Sequence, residues 1–363
     1  MRNKFENKNA EHWMKWIFRK EDHLPLVSVY FLSRRNSTSP RFFPLYNYSS
    51  KIRIVVFYGS RLPYLDRIYL KLLPFFVQYF KTHFERYEAM FLFGLKRFTS
   101  PRLNQILHFD DPEYTKDEWE YIQNWEKQMY GIHKVPIIVC TSTYTQNYLR
   151  EKGFKSTIKV ISQGHNSIPS FKVENESTLT AIGRKVKFAY ASPYIHADGD
   201  LHGGHINWDV SEFLNSFAES ILQIPNVEIH LIGNVGENAR RRLPSNPRLI
   251  LHGFQSFEQC SEILKSCDVG IYPRQRDNFR QAQKIFEYIG AGLAIIAFDL
   301  IDTSPVSEFQ VGLVSNSESD FVGNALLLAR NPRLLETYKV RAREASKHTS
   351  WRYLATQLDE VLV

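Results

Sequence analysis

Residues 267–298 read CDVGIYPRQRDNFRQAQKIFEYIGAGLAIIAF. The apolar run 269–272 suits a buried strand, and a basic loop with Arg274, Arg276 and Arg280 follows it. An amphipathic helix comes next, carrying Gln281, Lys284, Glu287 and Tyr288, and it stops near Gly290 and Gly292. Residues 293–298 form a second buried strand. The pattern is a β–loop–α–β unit with cations at the helix start. Free N–H groups and the helix dipole make such a terminus attractive to phosphate. In open α/β sheets, ligands sit at the carboxyl ends of the strands, where this loop falls.

The same rhythm extends in both directions. Downstream, 311–314 reads as a strand, 318–330 and 332–345 as helices, and 351–362 as a terminal helix. Upstream, strands are expected at 186–191, 227–232 and 248–251, with helices at 208–223 and 257–266. Residues 233–236 (Gly-Asn-Val-Gly) read as a loop. Before the polar stretch 167–184, strands are expected at 52–58, 90–93, 105–109, 136–140 and 158–161, and helices at 64–87, 116–133 and 144–152. Alternation of strand and helix implies parallel sheets. The chain therefore divides into residues 1–166, a linker 167–184, a second unit 185–345 and a terminal segment 346–363. Residues 1–50 are poorly defined, with a Trp-rich helix at 11–19 and a strand at 24–32 expected within them.

The length of 363 residues suits two domains, and 43% hydrophobic with 23% charged residues is an ordinary globular composition. Cys140, Cys260 and Cys267 show no metal or disulfide spacing, which predicts buried free thiols in a reducing compartment. No secretory signal and no membrane span is legible, so a cytoplasmic location is expected. The net charge of +8 is uneven: residues 1–100 hold 18 Lys/Arg against 7 Asp/Glu, and the remainder holds 28 against 31. Either a solvated surface or a patch facing anionic lipid or a phosphate-bearing acceptor accounts for this excess. No nucleic-acid motif accompanies the charge, so nucleic acid is not expected as a partner.

Several pieces, in order, resemble glycosyltransferase family 4 (group 1) of the GT-B architecture. They are Val139-Cys140-Thr141-Ser142; Val160-Ile161-Ser162-Gln163-Gly164; the strand from Val227 ending at Gly233; the strand at 249–254 with the helix ending at Asp268; and Lys284-Ile285-Phe286-Glu287-Tyr288 followed by Gly290-Ala291-Gly292. Ser350-Trp351 and the last helix resemble its closing segment. The resemblance spans residues 104–363. It implies two Rossmann-like domains with parallel sheets facing a cleft and a C-terminal helix crossing back to the first. It also implies transfer of a sugar from a nucleotide-sugar donor to a glycan or lipid-linked acceptor, with retention and with neither metal nor cofactor. By position, Glu287 would hold the ribose hydroxyls and Lys284 the diphosphate. The position eight residues before Glu287, often acidic in the family, is Phe279 here.

Departure of a nucleoside diphosphate leaves negative charge, which cations and N–H dipoles must neutralise in a metal-free site. Arg274, Arg280 and Lys284 are the expected cations. Glu287, one helical turn from Lys284, can accept both ribose hydrogen bonds. Gly233 permits close backbone approach, to ligand or merely within a tight turn. His196 opens a loop with Asp198, Asp200, His202 and His205 that faces donor or acceptor or is an inert loop; its spacing fits no metal pattern. Asp110 and Asp111 follow a strand and either orient the reacting groups or cap the 116–133 helix. Two other classes share the architecture: a GT-B-shaped binding protein without catalysis, and a sugar-nucleotide epimerase.

Overall fold

A computed structural model describes residues 45, 48, 89–91, 106–109, 137–151, 153, 157–166, 185–197, 210–275 and 281–361. The expected elements at 11–19, 24–32, 52–58, 64–87 and 116–133, and the linker 167–184, lie outside the described residues.

Two parallel sheets organise the chain. The first has β1 (Ala89–Phe91), β2 (Ile106–Phe109), β3 (Ile137–Cys140) and β4 (Thr157–Val160) side by side in that order. Helix α1 (Thr143–Glu151) joins β3 to β4.

The second sheet comprises β5 (Val186–Ile195), β6 (Val227–Val235), β7 (Leu249–Gly253), β8 (Val269–Tyr272), β9 (Ala294–Phe298) and β10 (Gly312–Ser315). Its order is β10-β9-β8-β5-β6-β7, and every pair is parallel. The chain builds outward from β5 to β7, then returns to lay β8 on the other side of β5. The order therefore reverses between β5 and β8, the switch point at which doubly wound sheets hold ligands.

Helices cover both faces, as buried parallel strands require. On one side lie α2 (Ser211–Ile221) and α7 (Glu318–Arg330). There Phe213, Phe217 and Phe321 meet Phe188 and Phe298 with ring centroids 5.1–5.9 Å apart. On the other side lie α4 (Phe257–Lys265), α5 (Gln283–Ala291) and α8 (Pro332–Thr349), which bury Leu264, Ile285, Phe286, Ile289, Ala342 and Ala345. Local chemistry starts these helices. Ser256 and Gln259 form a capping box on α4, and Ser317 and Asn331 cap α7 and α8. The Arg248 guanidinium gathers the carbonyls of Leu222, Ile224, Pro225 and Val227, closing the end of α2. Asp268 and Lys339, both buried, pair at 2.8 Å and tie the start of β8 to α8.

The parts β5 and β8 play at the switch point follow from one side chain. Their register covers only Phe188↔Val269 and Ala189↔Gly270. Beyond it, β8 continues with β9, and β5 continues with β6. Where the two strands part, the Tyr288 hydroxyl stands between them. It accepts the Ala191 N–H and donates to the Ile271 carbonyl, both at 3.1 Å. Gly270 makes room for it, because a Cβ there would lie 2.5 Å from the Tyr288 ring. Burial pushes the Tyr288 phenol well above its ordinary value, so it remains a neutral donor.

The terminal helix α9 (Trp351–Val361) meets segments of the first half. Gly164 lies against Trp351 and Leu354, so closely that a Cβ would approach both to 2.8 Å. Backbone bonds His165 N–H to Thr349 O (3.1 Å) and Trp351 N–H to His165 O (3.0 Å) clasp the join. Arg352 of α9 stacks over the Tyr48 ring at 5.2 Å. The His165 ring sits on Gly290 of α5, and its Nε2 lies 3.1 Å from the Ser346 carbonyl.

The expected boundaries shift by one to three residues at most elements, and three shift in ways that bear on the site or the join. β5 runs to Ile195 and β6 to Val235, because Tyr194↔Asn234 and Ile195↔Val235 pair after an irregularity. Residues 233–235 are thus strand rather than loop; ladder bonds overrode their turn-forming composition. Helix α8 continues past Ala345 to Thr349, with Ser346 and Thr349 buried and their carbonyls meeting His165 while Lys347 and His348 stay exposed. Two short helices escaped the periodicity, α3 (Glu237–Arg242) and α6 (Ser304–Glu308). The thiols of Cys140 and Cys267 are buried and pushed up to about 12, whereas Cys260 is only half-buried.

At the edge of the second sheet, His230 Nδ1 lies 2.9 Å from His252 Nε2, with the rings stacked at 5.1 Å. Glu228 approaches the far side of His230 at 3.6 Å and is itself held by Lys185. Burial, then His252 and Lys187, lower the His230 value, and Glu228 only partly opposes them. A lowered histidine binds fewer protons folded than unfolded, so its stability contribution is present above about pH 6.5 and is lost as pH falls below it.

Two outcomes follow. Tyr288→Phe leaves the Ala191 N–H without its acceptor and should cost about 2 kcal/mol in urea unfolding; a change under about 0.5 kcal/mol would contradict its bridging role. The melting temperature should fall between about pH 7.5 and 5.5, and His252→Gln should flatten that fall; an unchanged slope would show that the histidine pair does not cause it.

Candidate functional site

The switch point sets the geometry. Tyr190 precedes Ala191 on β5, and Tyr272 follows Ile271 on β8, so the two rings stand on either side of the parting strands. Lys284, in the first turn of α5, extends its ammonium over both, 4.8 Å from the Tyr190 centroid and 5.9 Å from that of Tyr272. The negative faces of two rings hold this cation at the carboxyl end of the sheet. Both tyrosines are buried, and Lys284 is half-buried.

Arg274 lies in the loop just after β8. Its Nη1 is 3.8 Å from Oδ2 of Asp302, which belongs to a 3-10 turn, Ile301–Thr303, after β9. The Tyr272 hydroxyl donates to the same oxygen at 3.3 Å. Asp302 is fully buried. Burial, then the neighbouring Asp302 charge, raise the Tyr272 phenol well above its ordinary value, with Arg274 opposing. The site thus has two cations, Lys284 and Arg274, linked through Tyr272 to one buried carboxylate.

Glu287 sits one turn along α5 from Lys284 and is half-buried. Its charge reaches Cys260 on α4. Burial first, then Glu287, push that thiol up to about 11, and Lys284 acts in the opposite direction. The N-cap of α5, Ala282, contributes no side-chain bond to the helix start, and its N–H is taken by the Asp302 carbonyl at 2.9 Å.

The first half of the chain touches this helix start. Gln163, fully buried, donates twice to Gln281: its N–H to Gln281 Oε1 (3.2 Å) and its Nε2 to the Gln281 carbonyl (3.1 Å). Gln283 Nε2 donates to the Gly164 carbonyl at 2.7 Å. The loop after β4 is therefore bonded to the residues that begin α5.

Of the residues proposed from sequence, Arg274, Lys284 and Glu287 fall in one region around the end of β8 and the start of α5. His196 falls just past the end of β5, stacked on the exposed Tyr194 ring at 5.5 Å and 14°. Gly233 lies near the end of β6 with φ +135°, and a Cβ there would stand 1.6 Å from the Ser192 carbonyl. Its need for glycine is thus a backbone contact with β5. Asp110, Asp111 and Arg280 lie outside the described residues, as do Asp198, Asp200, His202 and His205. Among the described residues, no group of three His, Cys, Asp or Glu is placed to hold a metal ion. Among them too, no helix is long and apolar enough to cross a membrane.

The sequence reading missed Tyr190, Tyr272 and Asp302. The two tyrosines were hidden inside apolar runs, where an aromatic reads as core. Asp302 sits in a short turn with no pattern to mark it. Tyr288 belongs to the Lys284–Tyr288 segment of the signature, but its hydroxyl's place between two strands is visible only in three dimensions.

No protein-family model and no curated protein matches the chain. Solved structures do match in fold. HepE from Anabaena, in complex with UDP and glucose, superposes with a TM-score of 0.59 at 13% identity, covering 93% of this chain and 99% of that one. WaaG, a glycosyltransferase involved in lipopolysaccharide biosynthesis, gives 0.56 at 10% identity over 92% and 99%. Sucrose-phosphate synthase from Thermosynechococcus elongatus gives 0.52 at 15% identity over 85% and 82%. At these identities the likeness concerns the fold, and the fold is the expected one: α/β with parallel sheets in the GT-B architecture.

Proposed function

We propose that the protein is a glycosyltransferase that binds a nucleotide-sugar donor at the β5/β8 switch point and transfers its sugar to a glycan or lipid-linked acceptor. The observation that carries this reading is the placement of Lys284, Arg274 and Glu287 together at the carboxyl end of β8 and the first turns of α5. Two cations beside a helix start suit a diphosphate, and a carboxylate one turn away suits the paired hydroxyls of a ribose. The fold supports it, since HepE, similar over nearly the whole chain, was solved in complex with UDP-glucose.

In this reading, Lys284 and Arg274, joined by Arg280, stabilise the charge that develops on the departing diphosphate. No metal or cofactor is required, because the cations supply the positive charge. His196, Asp110 and Asp111 are assigned to the reacting sugar from their positions after strands in the sequence, and transfer proceeds with retention. The protein works on the cytoplasmic side, and the basic residues of 1–100 hold it against an anionic membrane surface carrying the acceptor.

Titration with UDP, ADP, GDP and their sugar conjugates should show one nucleotide family binding, and the matching sugar conjugate should be consumed when acceptor is present. Lys284→Ala and Glu287→Ala should each weaken that binding by about tenfold or more. If neither does, the site is misplaced. Binding without hydrolysis or transfer would instead mark a binding protein. The chain should co-sediment with vesicles containing phosphatidylserine at low salt and release near 0.5 M salt, on the order expected when charges are screened; absence of low-salt binding would remove the membrane from the account.

A further inference from the structure

The cations assigned to the diphosphate share an origin. Arg274 lies at ion-pair distance, 3.8 Å, from Oδ2 of Asp302. Tyr272 donates its hydroxyl to that same oxygen, and its ring is one of the two surfaces under the Lys284 ammonium. The Asp302 carbonyl accepts the N–H of Ala282, the residue that opens α5. One residue, fully buried and distant in sequence from both cations, therefore touches the Arg274 side chain, the ring beneath Lys284 and the helix start. A buried carboxylate is costly unless cations and donors surround it. The cost makes the arrangement directional: Arg274 and the Tyr272 hydroxyl are drawn inward to one point, which fixes where their exposed sides face.

We propose that Asp302 is the positioning residue of the donor site: its carboxylate holds Arg274, and through the Tyr272 ring Lys284, in the arrangement that receives a nucleoside diphosphate. The inference rests on the proposed function for the identity of the ligand, but not for the contacts themselves. Asp302 does not reach the ligand. It lowers the cost of binding by keeping flexible cationic side chains ordered beforehand, a saving of the kind that ordering a rotamer-rich side chain otherwise consumes. The alternative is a purely structural role, in which Asp302 stabilises the turn after β9 and leaves the ligand untouched.

Two measurements on the full chain separate these. The first uses no ligand: in protein labelled with 15N-arginine, the Arg274 Nε–Hε relaxation should report an ordered side chain in the wild type and a mobile one in Asp302→Asn. The second titrates UDP, ADP and GDP, using whichever the wild type binds. Asp302→Asn should weaken it by about tenfold, and the same substitution in an Arg274→Ala background should add less than about threefold, because one of the two cations it acts through is gone and only the Tyr272–Lys284 route is left. Should Asp302→Asn fold poorly, Tyr272→Phe keeps the carboxylate, removes its hydroxyl donor, and should weaken binding by a smaller factor. An affinity within about twofold of wild type despite a lower melting temperature would overturn the proposal, as would an undiminished effect in the Arg274→Ala background. If Arg274 is released in Asp302→Asn but no nucleoside diphosphate binds the wild type, the positioning contact stands and the donor reading fails. If the wild type binds and Arg274 stays ordered in the variant, the donor reading stands and the positioning contact fails.

Discussion

A single hydroxyl occupies the point where two central strands stop being neighbours. Parallel strands normally satisfy each other's backbone groups, so parting two of them inside a core exposes polar groups that cannot reach water. Tyr288 resolves this by bonding the Ala191 N–H and the Ile271 carbonyl, and Gly270 gives its ring the space to do so. The crevice at the switch point depends on that substitution of side chain for backbone. Tyr288 also belongs to α5, the helix that carries Lys284 and Glu287. The element that props the strands apart is the one that presents the candidate ligand groups, so opening and occupancy are built into the same nine residues.

The electrostatics of the site continue this economy. Lys284 rests on aromatic faces from both sides of the gap, and Arg274 leans on a carboxylate buried behind it. Cations kept in this way are already gathered and partly shielded from water, where interaction with an anion is stronger than at an open surface. The other face of α5 is held by the first half of the chain, through Gln163, Gly164 and the His165 ring seated on Gly290. A change in how the two halves meet would reach the candidate site through these bonds.

Much of this was legible in sequence because periodicity reports burial. The strands 269–272 and 294–298 and the helix between them were readable from apolar spacing, and Lys284 and Glu287 from their position at the head of that helix. The extension of β5 and β6 was not, since Pro193, Asn234 and Gly233 argue for a loop, and only the pairing of Tyr194 with Asn234 and Ile195 with Val235 beyond the irregularity carries the strands on. Asp302 was invisible for a related reason. A lone acid in a turn reads as solvated, and nothing in its neighbours foretells that the turn folds inward onto Tyr272 and Arg274. The resemblance to glycosyltransferases pointed to the fold that the solved structures share, although it rested on a signature whose second acidic position is filled by Phe279.

The central claim, that α5 and the end of β8 receive a nucleoside diphosphate, is tested most directly by a crystal structure with the preferred nucleotide bound. The account predicts the diphosphate at the start of α5 within hydrogen-bond reach of Lys284 and Arg274, with both ribose hydroxyls on Glu287. A nucleotide seated elsewhere, or one at this place whose ribose does not touch Glu287, would contradict it.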